Sequence, residues 1–162
     1  MKTFEINIKQ HINKPLEVVF EFFSKPENLE MITPESLSFN MLTPTPVKME
    51  KGSLIDYTIR LFGIPIHWRT LISDYEPPFR FVDQQIKGPY TFWHHTHMFQ
   101  AVEGGVEIID KVKYSLPLGW LGTLAHAIWV RKDLEKIFEY RKTVIQNYFE
   151  IINISTERII KS

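Results

Sequence analysis

The 162-residue sequence predicts a single α+β domain: a curved, antiparallel, seven-stranded sheet wrapped around a long C-terminal helix, with two short helices after the first strand. Three observations carry this. Between residues 38 and 116 apolar and polar residues alternate with period two, interrupted by short Gly/Pro turns. After Pro117 the apolar spacing changes to three and four. The composition is globular, with 44% hydrophobic, 14% aromatic and 23% charged residues. The length suits one domain, expected over residues 1–152, with 153–162 as a frayed tail.

Each element follows from local pattern. Phe4, Ile6 and Ile8 alternate with Glu5, Asn7 and Lys9, as in a half-buried strand. Asn13-Lys14-Pro15 opens a helix with Asn13 as N-cap, Val18, Val19, Phe22 and Phe23 form its apolar face, and Pro26 stops it. A second short helix is expected over 28–32, ended by Pro34. Strands are expected at 38–42, 53–61, 64–75, 79–85, 92–102 and 106–116, joined by the turns Phe62-Gly63, Glu76-Pro77-Pro78, Lys87-Gly88-Pro89 and Glu103-Gly104-Gly105. Leu134, Ile137, Phe138, Val144, Ile145, Tyr148 and Phe149 mark a helix over 131–147, starting as early as Leu121. A sheet this long needs its concave face covered, and that helix is the only large element available.

Composition also excludes functions. Lys+Arg and Asp+Glu are 19 each, so there is no excess positive charge to displace counterions from nucleic acid. The absence of cysteine removes disulfides, thiolate metal sites and thiol nucleophiles, which suits a cytoplasmic protein. The N-terminus alternates from its start, unlike a signal peptide. The apolar-leaning stretch 116–130 is shorter than the ~20 residues that span a bilayer. There is no phosphate loop, nucleophile elbow or zinc-binding helix motif.

The element order, together with Phe81-Val82-Asp83-Gln84-Gln85, Lys87-Gly88-Pro89-Tyr90, Phe92-Trp93-His94-His95-Thr96-His97-Met98-Phe99, the Gly104-Gly105 turn, Asp110-Lys111-Val112-Lys113-Tyr114-Ser115-Leu116-Pro117, Trp68 and residues 138–141, resembles the helix-grip fold of the START/Bet v 1-like (SRPBCC) superfamily. Within it the sequence resembles a bacterial subgroup related to polyketide cyclases/dehydrases. The resemblance implies a cavity between sheet and long helix that takes lipid-, polyketide- or aromatic-like molecules. It also implies a choice among carrier, sensor and enzyme, which fold alone does not make.

The polar residues on the inward faces are the candidate site. Alternation puts Trp93, His95, His97 and Phe99 on one face of their strand, and Ile108, Asp110, Val112 and Tyr114 on one face of the next. If Glu103-Gly104 forms the turn, His97 faces Asp110; if Gly104-Gly105 does, Phe99 faces Asp110 and His97 lies diagonal to it. Asp83 and Gln85 form a second inward polar set beside Trp68 and Thr70, unless Asp83 is a strand-end partner of Arg69 or Arg80. Arg141 sits within the apolar stripe of the long helix, reaching either the cavity or solvent.

Expected ligand-binding residues are therefore Trp68, Asp83, Gln85, Trp93, His95, His97, Asp110, Tyr114 and Arg141. The alternative is a cofactor-independent cyclase, dehydratase or isomerase with His97 as base, oriented by Asp110. His95, His97 and Asp110 also suit metal ligation, but no metal signature accompanies them and neither metal nor cofactor is expected. A third reading is a partner-protein-binding module using an apolar patch near 116–130. The segments 116–130 and 62–65 are candidate gates, and the expected state is monomer or homodimer.

Overall fold

A computed structural model describes the backbone of residues 1–160 and the side chains of residues 1–152. The chain runs β1 (Phe4–Ile12), α1 (Leu16–Phe23), two 3-10 turns (Pro26–Leu29 and Glu35–Leu37), β2 (Asn40–Met41), β3 (Leu54–Leu61), β4 (Ile64–Glu76), β5 (Arg80–Lys87), β6 (Phe92–Val102), β7 (Gly105–Ser115), α2 (Gly119–Ala125), a π turn (His126–Val130) and α3 (Arg131–Ile160). The seven strands form one antiparallel sheet in the order β1-β7-β6-β5-β4-β3-β2. The tail expected over 153–162 lies outside the residues whose side chains are described.

Three local expectations need correction. Pro15, not Asn13, occupies the N-cap of α1, and no side chain caps that end; Glu17 in the first turn offsets the exposed amides. The second short helix is of 3-10 type and starts two residues early, at Pro26–Leu29 in place of 28–32, and a further 3-10 turn follows at Glu35–Leu37. Pro34 disfavours helical geometry at Thr33 and so limits the segment on its C-terminal side. The strand expected over 38–42 shortens to Asn40–Met41, because Pro44 and Pro46 lack the N–H that would extend the ladder. At the other end α2, the π turn and α3 follow without a break, since the junction residues His126 and Arg131 are themselves helical.

The β6–β7 turn decides the register of the site. Val102 pairs with Gly105 around Glu103-Gly104, so His97 stands opposite Asp110 and His95 opposite Val112. Gly105 has a positive φ of 147°, and a Cβ there would run into the carbonyl oxygen of Ile12 on β1.

The apolar interior has two halves. One packs α1 against the far end of the sheet and α3 through Val19, Phe20, Phe22, Phe99, Ile145 and Phe149. The other joins Ile6, Trp68, Trp93, Val112, Leu134 and Phe138. Leu134, Phe138, Ile145 and Phe149 are the buried stripe of α3, and Arg141 occupies the same stripe between them. No helix among the described residues is long and apolar enough to cross a membrane.

Candidate functional site

Between the two halves of the core lies a four-residue polar cluster on three adjacent strands: Asp83 on β5, His95 and His97 on β6, and Asp110 on β7. His95 is 3% exposed, His97 5% and Asp110 8%, so the charges must be satisfied within the protein. His97 stacks on Phe81 at 4.1 Å between centroids, and His95 meets Phe138 edge-on at 5.7 Å. The two imidazoles lie 3.7 Å apart.

The bonding runs across the register. His97 is opposite Asp110 and Phe81, yet its aligned hydrogen bond goes from Nε2 to Asp83 at 2.7 Å. His95 is opposite Asp83 and Val112, yet its aligned bond goes from Nε2 to Asp110 at 2.9 Å. The directly opposed contacts are close without forming aligned hydrogen bonds. His97 Nδ1 is 2.8 Å from Asp110 but out of line, and His95 Nδ1 is 3.5 Å from Asp83. An ionised carboxylate only accepts, so the protons of the two aligned bonds sit on His97 Nε2 and His95 Nε2.

Charge follows from this geometry. Burial alone would raise both carboxyls. The imidazoles around Asp83, with the hydrogen bond from His97, outweigh it and lower Asp83. The close His95 and His97 nitrogens likewise hold Asp110 far below the carboxylate range. Burial also disfavours charge on His97, but Asp110 and Asp83 overcome it and raise His97 above an ordinary imidazole. His95 goes the other way, because burial and the charge of His97 beside it keep it neutral to lower pH.

A cavity of about 150 Å³ adjoins this cluster. Asp83, His95 and His97 line it together with Trp93, Phe138 and Arg141; Tyr57 and Thr70 add polar atoms, and apolar side chains complete most of the wall. Its lining includes exposed Lys25, so the cavity reaches the surface beside the corner between α1 and Pro26. A second hollow of about 120 Å³ shares Leu29, Tyr57, Ile137 and Arg141 with the first and includes Trp68. Trp68 Nε1 and Arg141 Nε are buried without a hydrogen-bond partner among the described residues.

The expected site residues divide accordingly. Asp83, Trp93, His95, His97 and Arg141 line the main cavity and Trp68 the second. Asp110 supports the two histidines from behind the wall. Asp83 is not a strand-end partner of an arginine: Arg69 binds Asp56, and Arg80 binds Asp74 and Glu76. Gln85 and Tyr114 lie outside both hollows. Gln85 clasps the Tyr90 backbone, donating from Nε2 at 2.7 Å and accepting at 3.3 Å. Tyr114 is fully buried and its hydroxyl is 2.8 Å from His126 Nε2. Neither 116–130 nor 62–65 contributes to the lining of the main cavity.

Sequence reasoning placed Thr70 on the inward face beside Trp68 but missed Tyr57 as a lining residue. The signal was available, because the two-residue turn Phe62-Gly63 fixes Leu61 opposite Ile64 and hence Tyr57 opposite Trp68 and Ile55 opposite Thr70.

No family model matches the sequence, and no curated protein is similar to it in sequence. Solved structures do match in shape. Protein CV1439 from Chromobacterium violaceum aligns with a TM-score of 0.70 at 13% identity, over 90% of this chain and 97% of that one. TTHA0849 from Thermus thermophilus aligns at 0.67 and 16%, over 94% and 99%. The major latex-like protein 151 of Panax ginseng aligns at 0.66 and 10%, over 91% and 97%. The seven-stranded antiparallel sheet closed by a long C-terminal helix, together with these near-full-length alignments, gives this chain the helix-grip fold.

Proposed function

We infer that this protein binds a small, largely apolar molecule in the hollow between the sheet and α3. The observation that carries this is the cavity itself: apolar on most of its wall, with Asp83, His95 and His97 on its sheet side and Arg141 on its α3 side. Apolar walls supply affinity by removing surface from water, and a few convergent polar groups set orientation. A volume of about 150 Å³ fits a single aromatic ring. A lipid- or polyketide-sized occupant needs the second hollow as well, through the shared residues Tyr57, Ile137 and Arg141. The unpartnered Arg141 Nε and Trp68 Nε1 favour an occupant that carries a hydrogen-bond acceptor, such as a carboxylate or carbonyl.

Native and denaturing mass spectra of the protein as purified test this reading. A stoichiometric organic mass lost on denaturation, and absent from an Ile137→Trp variant that fills the space between the hollows, is the expected result. An empty wild-type spectrum, combined with no saturable binding of single-ring aromatic acids by NMR, overturns it.

The enzymatic alternative takes different roles from those the sequence suggests. With its aligned partner in Asp83 and its protonated form favoured, His97 would enter a reaction as an acid, and neutral His95 is the better base.

One observation favours the partner-binding reading. Leu118 is 75% exposed and Trp120 74%, with Leu121, Leu124, Ile128 and Trp129 also exposed on the same stretch. The mass of the native particle in solution, compared between wild type and Trp120→Asp, tests whether a second copy covers this face.

A further inference from the structure

We propose that Asp83, His95 and His97 form a binding site for a divalent first-row transition-metal ion such as Zn²⁺ or Co²⁺, with Asp110 as the carboxylate that orients both imidazoles from outside the ligand shell. The site needs only these four side chains and does not depend on an apolar occupant of the cavity.

The geometry is the argument. One donor atom from each of Asp83, His95 and His97 lies within 4.8 Å of the others, and all three residues line the cavity. A metal holds imidazole nitrogen and carboxylate oxygen at about 2.0–2.2 Å, so its ligand atoms stand roughly 3–3.5 Å apart. The two spacings to Asp83 bracket that range, 2.7 Å to His97 Nε2 and 3.5 Å to His95 Nδ1, and the histidine nitrogens lie within 4.8 Å of each other.

The proton inventory points the same way. His95 Nε2–H is committed to Asp110, so the lone pair of the neutral ring is on Nδ1, and Nδ1 faces the Asp83 carboxylate across 3.5 Å. No proton lies between His95 Nδ1 and Asp83, and the proton that the same Asp83 oxygen accepts, on His97 Nε2, is the one an ion would displace. A metal-ligating histidine characteristically donates its other N–H to a carboxylate, and His95 already does so. His97 has the same option: when an ion replaces the Nε2 proton, Nδ1–H is left 2.8 Å from the same Asp110 oxygen. Two imidazoles and one carboxylate leave coordination positions free. These face the cavity, where they select a carboxylate, phenolate or carbonyl oxygen.

The test uses the whole chain after chelation and buffer exchange, titrated with Co²⁺ and Zn²⁺. One Co²⁺ per chain is expected, with the visible absorption of a low-symmetry site, displaced by Zn²⁺. His95→Gln should abolish it. Asp110→Asn should keep the spectrum but weaken binding about 10- to 100-fold. His67→Gln, at the separate His67–Asp56 pair on the outer face, should change nothing. Because a buried variant can fail to fold, the unmodified protein gives an independent readout: saturating Zn²⁺ should shift the imidazole ¹⁵N resonances of His95 and His97. Absence of saturable binding, unshifted His95 and His97 resonances, or binding that survives His95→Gln and disappears in His67→Gln would overturn the assignment.

Discussion

His97 donates a 2.7 Å hydrogen bond to Asp83, although neither of the residues opposite it, Asp110 on β7 and Phe81 on β5, is Asp83. His95 does the converse with Asp110 at 2.9 Å. The diagonals of the ladder, not its rungs, carry the aligned bonds. Each imidazole therefore touches both carboxylates, and the four groups form one closed unit.

That unit makes stability depend on pH in both directions. His97 is raised in the folded protein, so its contribution is full below the unfolded value of about 6.5 and is lost as pH rises through the folded one. His95 is lowered, so its contribution is present above about 6.5 and is lost as pH falls through its folded value. Asp83 and Asp110 are lowered too, and their contributions fade below about 4. Arg141 across the cavity adds a fixed positive charge that favours ionised Asp83. Urea midpoints of the chelator-treated protein should peak near neutrality and fall towards both pH 5 and pH 9. A midpoint that climbs steadily from pH 5 to 9 would show that His97 is not held protonated.

Asp110 is the member of the unit that both histidines approach from behind the cavity wall. Removing a partner of a buried charge is more costly than removing a surface pair. Asp110→Ala should lose about 3–5 kcal/mol. Asp110→Asn keeps the shape and one acceptor, and should lose about 1.5–3 kcal/mol. Equilibrium urea unfolding gives both values. Equal losses in the two variants would mean that charge contributes nothing there and only packing does.

The face of each residue in this unit is legible in the sequence, because period-two alternation places Trp93, His95, His97 and Phe99 inward together. The register is legible to within one step, and the Glu103-Gly104 turn selects it. The diagonal bonding is not legible. It depends on side-chain torsions, and on Asp83 being brought next to β6 by a strand pair whose ladder to β4 shifts between Ile72 and Asp74. Gln85 shares the alternation of Asp83, yet its amide is drawn to the Lys87–Tyr90 turn by the Tyr90 backbone. The position of the cavity mouth is hidden for a similar reason: it lies beside the Pro26–Leu29 turn, which the helical pattern of 28–32 disguises.

The turn that selects the register is itself testable. Gly105→Ala places a methyl group against the Ile12 carbonyl at a positive φ, with backbone on both sides of the clash. Strain of this kind costs about 1–3 kcal/mol. Gly104 also has a positive φ, of 77°, but open space around it. Gly104→Asn should therefore be nearly neutral, since Asn tolerates the left-handed region. Thermal unfolding of the two variants side by side distinguishes them. An Ala at 105 that unfolds with wild type would place β1 further from the turn than the structure has it.

Tyr114 decides between lining and locking. It shares the inward face with Asp110, and its ring meets Trp93, but its hydroxyl points to His126 rather than to a hollow. Burial pushes the phenol up to about 12 and holds His126 below an ordinary imidazole, so the bond joins a neutral phenol to a neutral imidazole. His126 also stacks on Phe4 at 3.4 Å, so this one bond ties the α2–α3 junction to β1 and β7. Tyr114→Phe leaves the buried His126 Nε2 unpaired and should cost about 1–3 kcal/mol. Affinity for any occupant of the cavity should not change, because the lost hydroxyl faces away from it. Calorimetric unfolding read together with ligand titration separates the two roles. A variant that keeps its stability and loses the occupant would make Tyr114 part of the binding wall after all.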